Sequence, residues 1–72
     1  MRLQEIARRA KAFGFQIEKP TSGSHWKLRR ISDGKMYPIP AHNGLKTEVR
    51  SIYLDGFLRF AGLSREEFCD DC

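Results

Sequence analysis

Residues 25–40, HWKLRRISDGKMYPIP, decide the fold because they predict two strands joined by a tight turn. In the first strand, Trp26 and Leu28 share one face, and the odd-numbered residues share the other. The turn SDGK contains Gly34, which accepts the positive φ angle that hairpin turns require. The second strand, KMYPIP, contains two prolines that cannot donate to a ladder, so it is predicted to lie at a sheet edge.

The segment before this hairpin predicts a helix followed by a strand. Apolar residues recur there at helical spacing: Leu3, Ile6, Ala7, Ala10 and Phe13. Gly14 is expected to end the helix. In FQIEK, residues 15–19, apolar and polar side chains alternate, which is typical of a half-buried strand.

The segment after the hairpin predicts a second helix and a short third one. Thr47 is the expected N-cap of the second helix. Its apolar face is predicted to extend over three turns: Val49, Ile52, Tyr53, Leu54, Phe57, Leu58, Phe60 and Ala61. Gly56 costs about 1 kcal/mol relative to alanine inside a helix, so it indicates close approach of another element. Ser64 and Glu67 have the spacing of a capping box for the last helical turn.

These elements predict an α+β fold with the order α-β-β-β-α. A three-stranded antiparallel sheet would carry both helices on one face and leave its other face open. We expect one domain, residues 1–68, and a disordered acidic tail, residues 69–72. A bond between Cys69 and Cys72 would close almost no loop. Both are therefore expected to be free thiols in a reducing compartment, the cytoplasm.

The charge is distributed unevenly along the 72 residues. The net charge is +4, but four of the nine acidic residues lie in the last seven positions. Residues 1–65 contain thirteen basic and five acidic residues, a net +8. A compact body with this charge attracts polyanions, of which nucleic acid is the first candidate and an anionic membrane surface the second. No apolar run approaches the length of a transmembrane helix.

Strand alternation places His25, Lys27 and Arg29 together on the open face. Ser24 and His25 are neighbours on a strand and point to opposite faces, which disfavours a nucleophilic dyad. The acidic residues of the body are scattered, which gives little support for a metal-dependent nuclease. A zinc site would need the CDDC tail to fold back over the sheet, and a solvated terminus is the preferred interpretation.

Proton transfer by histidine is the remaining chemistry. RNA supplies its own 2′-OH nucleophile, so cleavage needs a base, an acid and cations, with no obligatory metal or cofactor. Several residues are candidates for binding the RNA phosphate: Ser22, Gly23, Ser24, Lys27, Arg29, Arg30 and His42. The residues alone leave open whether His25 is catalytic, contacts phosphate or is an ordinary surface residue. His42 is either the complementary proton donor or a loop residue that contacts phosphate or nothing.

Three motifs, in order, resemble the HicA toxin family of bacterial type II toxin–antitoxin systems. They are Gly23-Ser24-His25 followed by WKLRR, then Ile39-Pro40-Ala41-His42, and then AGLSREEF at residues 61–68. The phrase KAFGF at residues 11–15 also fits the family. The resemblance covers residues 3–68, nearly the whole chain.

This resemblance implies a double-stranded-RNA-binding-domain-like fold and a metal-independent mRNA endoribonuclease. His25 matches the catalytic histidine of the family. A HicB-like antitoxin would cover that site, with the toxin as a monomer within a hetero-oligomeric complex. Two other functions use the same basic face: an RNA-binding module without catalysis, and a domain that binds an acidic protein partner. The basic residue that often precedes the family's glycine is missing here, and CDDC has no counterpart in the family.

Overall fold

The computed structural model describes residues 1–69, and their order is the expected α-β-β-β-α. The elements are α1 (Leu3–Lys11), β1 (Phe15–Glu18), β2 (His25–Arg30), β3 (Met36–Pro40), a 3₁₀ turn (Gly44–Lys46), α2 (Ser51–Ala61) and α3 (Arg65–Phe68). The α+β class, the open antiparallel sheet and the two main helices on one of its faces are confirmed.

The three strands form one antiparallel sheet in the order β1-β2-β3. Leu28 of β2 lies opposite Ile17 of β1 and Tyr37 of β3. The edge position predicted for β3 is therefore confirmed. At the turn between β2 and β3, Gly34 has a φ angle of +76°, and the backbone N–H of Lys35 donates to Asp33 Oδ1 at 3.0 Å.

The core lies between the sheet and the helices, and Phe57 is at its centre. The Phe57 ring lies 5.0 Å from Phe15 and 5.9 Å from Phe68, measured between centroids, with edge-on geometry in both pairs. Leu28 and Ile39 are fully buried from the sheet side. The core of the described residues contains no buried polar or charged side chain, so apolar packing holds the two layers together.

Helix α2 packs unusually close to β3 at Gly56. A Cβ atom built at this position would overlap the Tyr37 hydroxyl. The glycine therefore allows the tyrosine ring to lie against the helix backbone, where it also packs against Phe57 and Phe60, with centroids 6.1 and 5.6 Å away. The close approach predicted at Gly56 is confirmed.

Two details of the predicted second helix are wrong. Its N-cap residue is Arg50, and Thr47 instead follows the 3₁₀ turn, where its Oγ1 accepts a hydrogen bond from the Asn43 N–H at 2.8 Å. The buried face is also rotated from the prediction. Leu54, Phe57 and Leu58 are its buried residues, whereas Ile52 is 66% and Tyr53 37% exposed.

The C-terminal region is described as far as Cys69. Ser64 and Glu67 form the predicted capping box, since each side chain accepts a hydrogen bond from the other's backbone N–H. Cys69 is buried and disulfide-bonded, so the prediction of a free thiol is wrong for this residue. The remainder of the predicted tail, residues 70–72, lies outside the described residues. No helix between residues 1 and 69 has the length and apolarity needed to cross a bilayer.

Candidate functional site

The candidate site is the open face of β2, where alternate side chains point away from the helices. His25 and Lys27 are exposed and Arg29 is partly exposed, while Leu28 between the last two is fully buried. This pattern follows directly from the two-residue period of a strand. The predicted grouping of His25, Lys27 and Arg29 on one face is therefore present in the structure.

His25 is the first residue of β2 and lies opposite Pro40 of β3. The turn before it is attached to the end of β3, because the Ala41 N–H donates to the Ser24 carbonyl oxygen at 2.8 Å. Ser22 and Gly23, within this turn, are exposed. The three predicted turn residues therefore directly adjoin the histidine, and the imidazole projects from a fixed point on the sheet.

The backbone of His25 also has an unusual position in the ladder. Since Ser24 bonds to β3, alternation directs the His25 N–H toward the β1 side. The β1 strand ends at Glu18, before it reaches that position. No backbone acceptor for this N–H occurs within the described chain. The N–H therefore lies in the plane of the sheet on the β1 side, whereas the imidazole of the same residue projects from the open face.

Lys27, two residues after His25, presents an ammonium group on the open face. Its strand neighbours are Glu18 of β1 and Pro38 of β3. The Glu18 carboxylate bonds instead to the Arg29 Nε at 2.7 Å. No ion pair joins Lys27 to a residue that the structure describes. The ammonium group, two residues from His25, is therefore available to an incoming anion.

Arg29 differs from Lys27 because its charge already has partners. Besides its ion pair with Glu18, its Nη2 lies 3.5 Å from Gln16 Oε1. Its side chain is 32% exposed. An incoming anion would have to compete with a carboxylate for this guanidinium, so Arg29 is less available to such a ligand than Lys27.

Arg30 does not join the other predicted phosphate contacts, because it lies on the helix side of the sheet. Its Nη2 donates to the Phe60 carbonyl oxygen at 2.7 Å, and its Nη1 bonds to Asp33 at 3.0 Å. The guanidinium stacks over the Phe60 ring at 4.6 Å. The Lys35 N–H and the Arg30 guanidinium hold the pKa of Asp33 below its usual value. Arg30 thus connects β2 to α2 and the hairpin turn.

His42 lies in the exposed loop that follows β3, two residues after Pro40, the strand partner of His25. A shallow cavity of about 300 Å³ adjoins it, lined also by Arg50 and Tyr53. The apolar pattern of α2 predicts Tyr53 in the core, and no sequence motif points to Arg50. The buried spacing of Leu54, Phe57 and Leu58 is the signal that would have placed Tyr53 toward the solvent.

No three His, Cys, Asp or Glu side chains within residues 1–69 come together as a metal-binding group. A zinc site formed with the CDDC tail would fall partly outside these residues. The groups that the described site does present are an exposed imidazole, which is able to transfer protons, and an ammonium group, which is able to stabilise negative charge.

Comparison with known proteins gives no further assignment. The chain matches no protein-family model, no curated protein and no solved structure.

Proposed function

We propose that this protein is a metal-independent mRNA endoribonuclease, the toxin of a type II toxin–antitoxin system of the HicA kind. The observation that supports this proposal most strongly is the placement of His25 and Lys27. An exposed imidazole and an ammonium group without an ion pair among the described residues lie two residues apart on one rigid strand. The Gly-Ser-His motif and its resemblance to HicA toxins agree with this placement.

In the proposed reaction, the 2′-OH of the substrate attacks the adjacent phosphorus. The O2′–P bond forms and the P–O5′ bond breaks, leaving a 2′,3′-cyclic phosphate and a free 5′-OH. His25 moves one of the two protons, either from the 2′-OH or to the 5′ oxygen. Lys27 stabilises the negative charge on the phosphorane. His42 is the candidate for the other proton transfer.

The proposed biological setting follows from the same resemblance. The toxin acts in the cytoplasm as a monomer and is neutralised in a hetero-oligomeric complex with a HicB-like antitoxin that covers the His25 face. That face is open in the described chain, with no element of the protein's own packed over it. A partner that covers it would block access of RNA to the imidazole without any change in the fold.

The decisive experiment compares wild-type protein with His25→Ala on a purified mRNA in the presence of EDTA. We expect the variant to cleave about 10²- to 10⁴-fold more slowly, the usual range for loss of a general acid or base. Because His25 is exposed, its removal should leave the melting temperature unchanged. Gln4→Ala, an exposed substitution on α1, is the matched control and should cleave like wild type.

Each alternative function predicts a different result in this assay. Equal cleavage by wild type and His25→Ala would exclude catalysis by this residue. Intact RNA that is nevertheless bound by both proteins would indicate an RNA-binding module that uses the same face. No RNA binding at low salt would indicate a protein-interaction domain. Growth arrest on induced expression in bacteria, lost in His25→Ala, would support the toxin assignment.

A further inference from the structure

The two free edges of the sheet differ in their ability to accept another strand. At the β3 edge, the Arg30 N–H donates to Lys35 at 2.7 Å and the Ala41 N–H to Ser24 at 2.8 Å. Odd-numbered residues of β3 therefore bond to β2, and even-numbered residues direct their backbone groups outward. Two of those outward positions are Pro38 and Pro40, which have no N–H. This edge cannot continue a hydrogen-bond ladder.

The β1 edge lacks this protection. The Ile31 N–H donates to the Gly14 carbonyl oxygen at 2.9 Å, so even-numbered residues of β1 bond to β2. Alternation then directs the N–H and C=O groups of Phe15 and Ile17 away from the sheet. Neither residue has a backbone hydrogen bond to any other part of the chain that the structure describes. These groups form a short row of donors and acceptors that matches an added strand.

A groove of about 520 Å³ runs beside this row, between β1 and α1. Its apolar lining includes Ala7, Ile17 and Ile31, and Ile31 is 52% exposed. Among the described residues that line it, Lys11 is the one that is charged, and it is itself exposed. No ion pair links Lys11 to another residue between 1 and 69. The groove therefore combines an apolar floor with a lysine that has no carboxylate partner in the part of the chain that the structure describes.

We propose that the free edge of β1 binds an extended segment of an acidic partner protein, which adds a fourth strand to the sheet. Phe15 and Ile17 supply the backbone hydrogen bonds, an apolar side chain of the segment enters the groove, and a carboxylate pairs with Lys11. A second copy of this chain fits less well, because pairing two β1 strands would bring two positively charged bodies together.

This surface is separate from the proposed catalytic face. Phe15 lies opposite Arg30 and Ile17 opposite Leu28, toward the end of β2 away from His25. Binding of a partner strand at the β1 edge therefore does not depend on RNA cleavage at His25. If one of the two proposals is wrong, the other is unaffected.

The test titrates full-length protein with a short synthetic peptide of alternating glutamate and valine. Binding is monitored by NMR of the protein's backbone amides. We expect chemical-shift changes at residues 14–17 and Lys11, and slower hydrogen exchange of the Phe15 and Ile17 amides. The same peptide with lysine in place of glutamate should not bind. Lys11→Glu should weaken binding about fivefold, by loss of one exposed ion pair, whereas Lys46→Glu, outside the groove, should have little effect.

Ile17→Pro is the most direct test of the backbone pairing. It removes the outward N–H of residue 17 and leaves the hydrogen bonds between β1 and β2 in place. It should abolish peptide binding while the protein remains folded. If it unfolds the protein, Lys11→Glu and the exchange rates decide. Equal binding by wild type and Lys11→Glu would overturn the proposal. So would peptide-induced shifts confined to His25 and Lys27, or a concentration-dependent dimer that protects Ile17 without peptide.

Discussion

At the scale of single residues, Lys27 and Arg29 have the same charge and the same strand face but different surroundings. The Arg29 guanidinium bonds to Glu18 and Gln16, whereas Lys27 has no ion pair within the described residues. Alternation along the strand predicts the common face from sequence. The Glu18 contact depends on how β1 aligns with β2, and short-range sequence patterns do not contain that alignment.

This difference predicts unequal effects on RNA binding. Lys27→Ala should lower affinity for single-stranded RNA and reduce the slope of log K against log salt by about 0.7, the value for one phosphate contact. Arg59→Ala, an exposed change on the helix layer, should leave the slope nearly unchanged. The measurement is a fluorescence-anisotropy salt titration with His25→Ala as the background, so that the RNA stays intact. Equal slopes for both variants would argue against the open face as the binding surface.

For Arg30, the position in the strand predicts the location of the side chain better than its charge does. It continues the basic run after Lys27 and Arg29, and this run predicts a phosphate contact. Its even position, shared with Trp26 and Leu28, places it on the helix side instead. There it stacks on Phe60 and bonds to the Phe60 carbonyl oxygen. Strand alternation therefore located this residue better than its charge did.

At the scale of elements, the hairpin and the capping box of α3 followed from local sequence, while the start of α2 did not. Thr47 has the right residue type for an N-cap, but its carbonyl oxygen accepts a hydrogen bond from Leu3, at 2.9 Å. Next to it, Glu48 pairs with Arg2 as an isolated antiparallel bridge. These contacts join residues more than forty positions apart. They hold residues 47–49 extended, and the helix begins only afterwards.

The contact between Gly56 and Tyr37 predicts a coupling between α2 and β3. Gly56→Ala should destabilise the fold by about 1–3 kcal/mol through overpacking, although alanine is the better helix former. Tyr37→Phe removes the hydroxyl that a Cβ would overlap. The double variant should therefore be more stable than the sum of the single changes, with a coupling of at least about 0.5 kcal/mol.

Urea unfolding of the four proteins measures this coupling. Ile52→Ala is the control on the same helix, because Ile52 is 66% exposed and its removal should change stability little. Strict additivity of Gly56→Ala and Tyr37→Phe would show that the tyrosine hydroxyl is not what excludes a side chain at position 56.

At the scale of the whole molecule, a small core and an excess of positive charge act together. A domain of this length has a net stability of only about 3–5 kcal/mol. Residues 1–65 have a net charge of +8, and mutual repulsion of these charges destabilises the compact state. A bound polyanion neutralises that repulsion and also stabilises the native state by mass action. Stability and RNA binding are therefore expected to be linked in this protein.

The linkage predicts a large thermal shift. With His25→Ala, single-stranded RNA at about 100 times its dissociation constant should add about 2.7 kcal/mol. For a domain of this size, that corresponds to a rise in melting temperature of about 10–20 °C. About 0.5 M salt should remove most of the rise, because screening and counterion release weaken phosphate contacts. At the same RNA concentration, the double variant with Lys27→Ala should show a smaller rise in melting temperature than the His25→Ala protein.

If the melting temperature does not respond to RNA at low salt, RNA is not the ligand of the folded protein. The charge would then have to be assigned to an acidic protein partner.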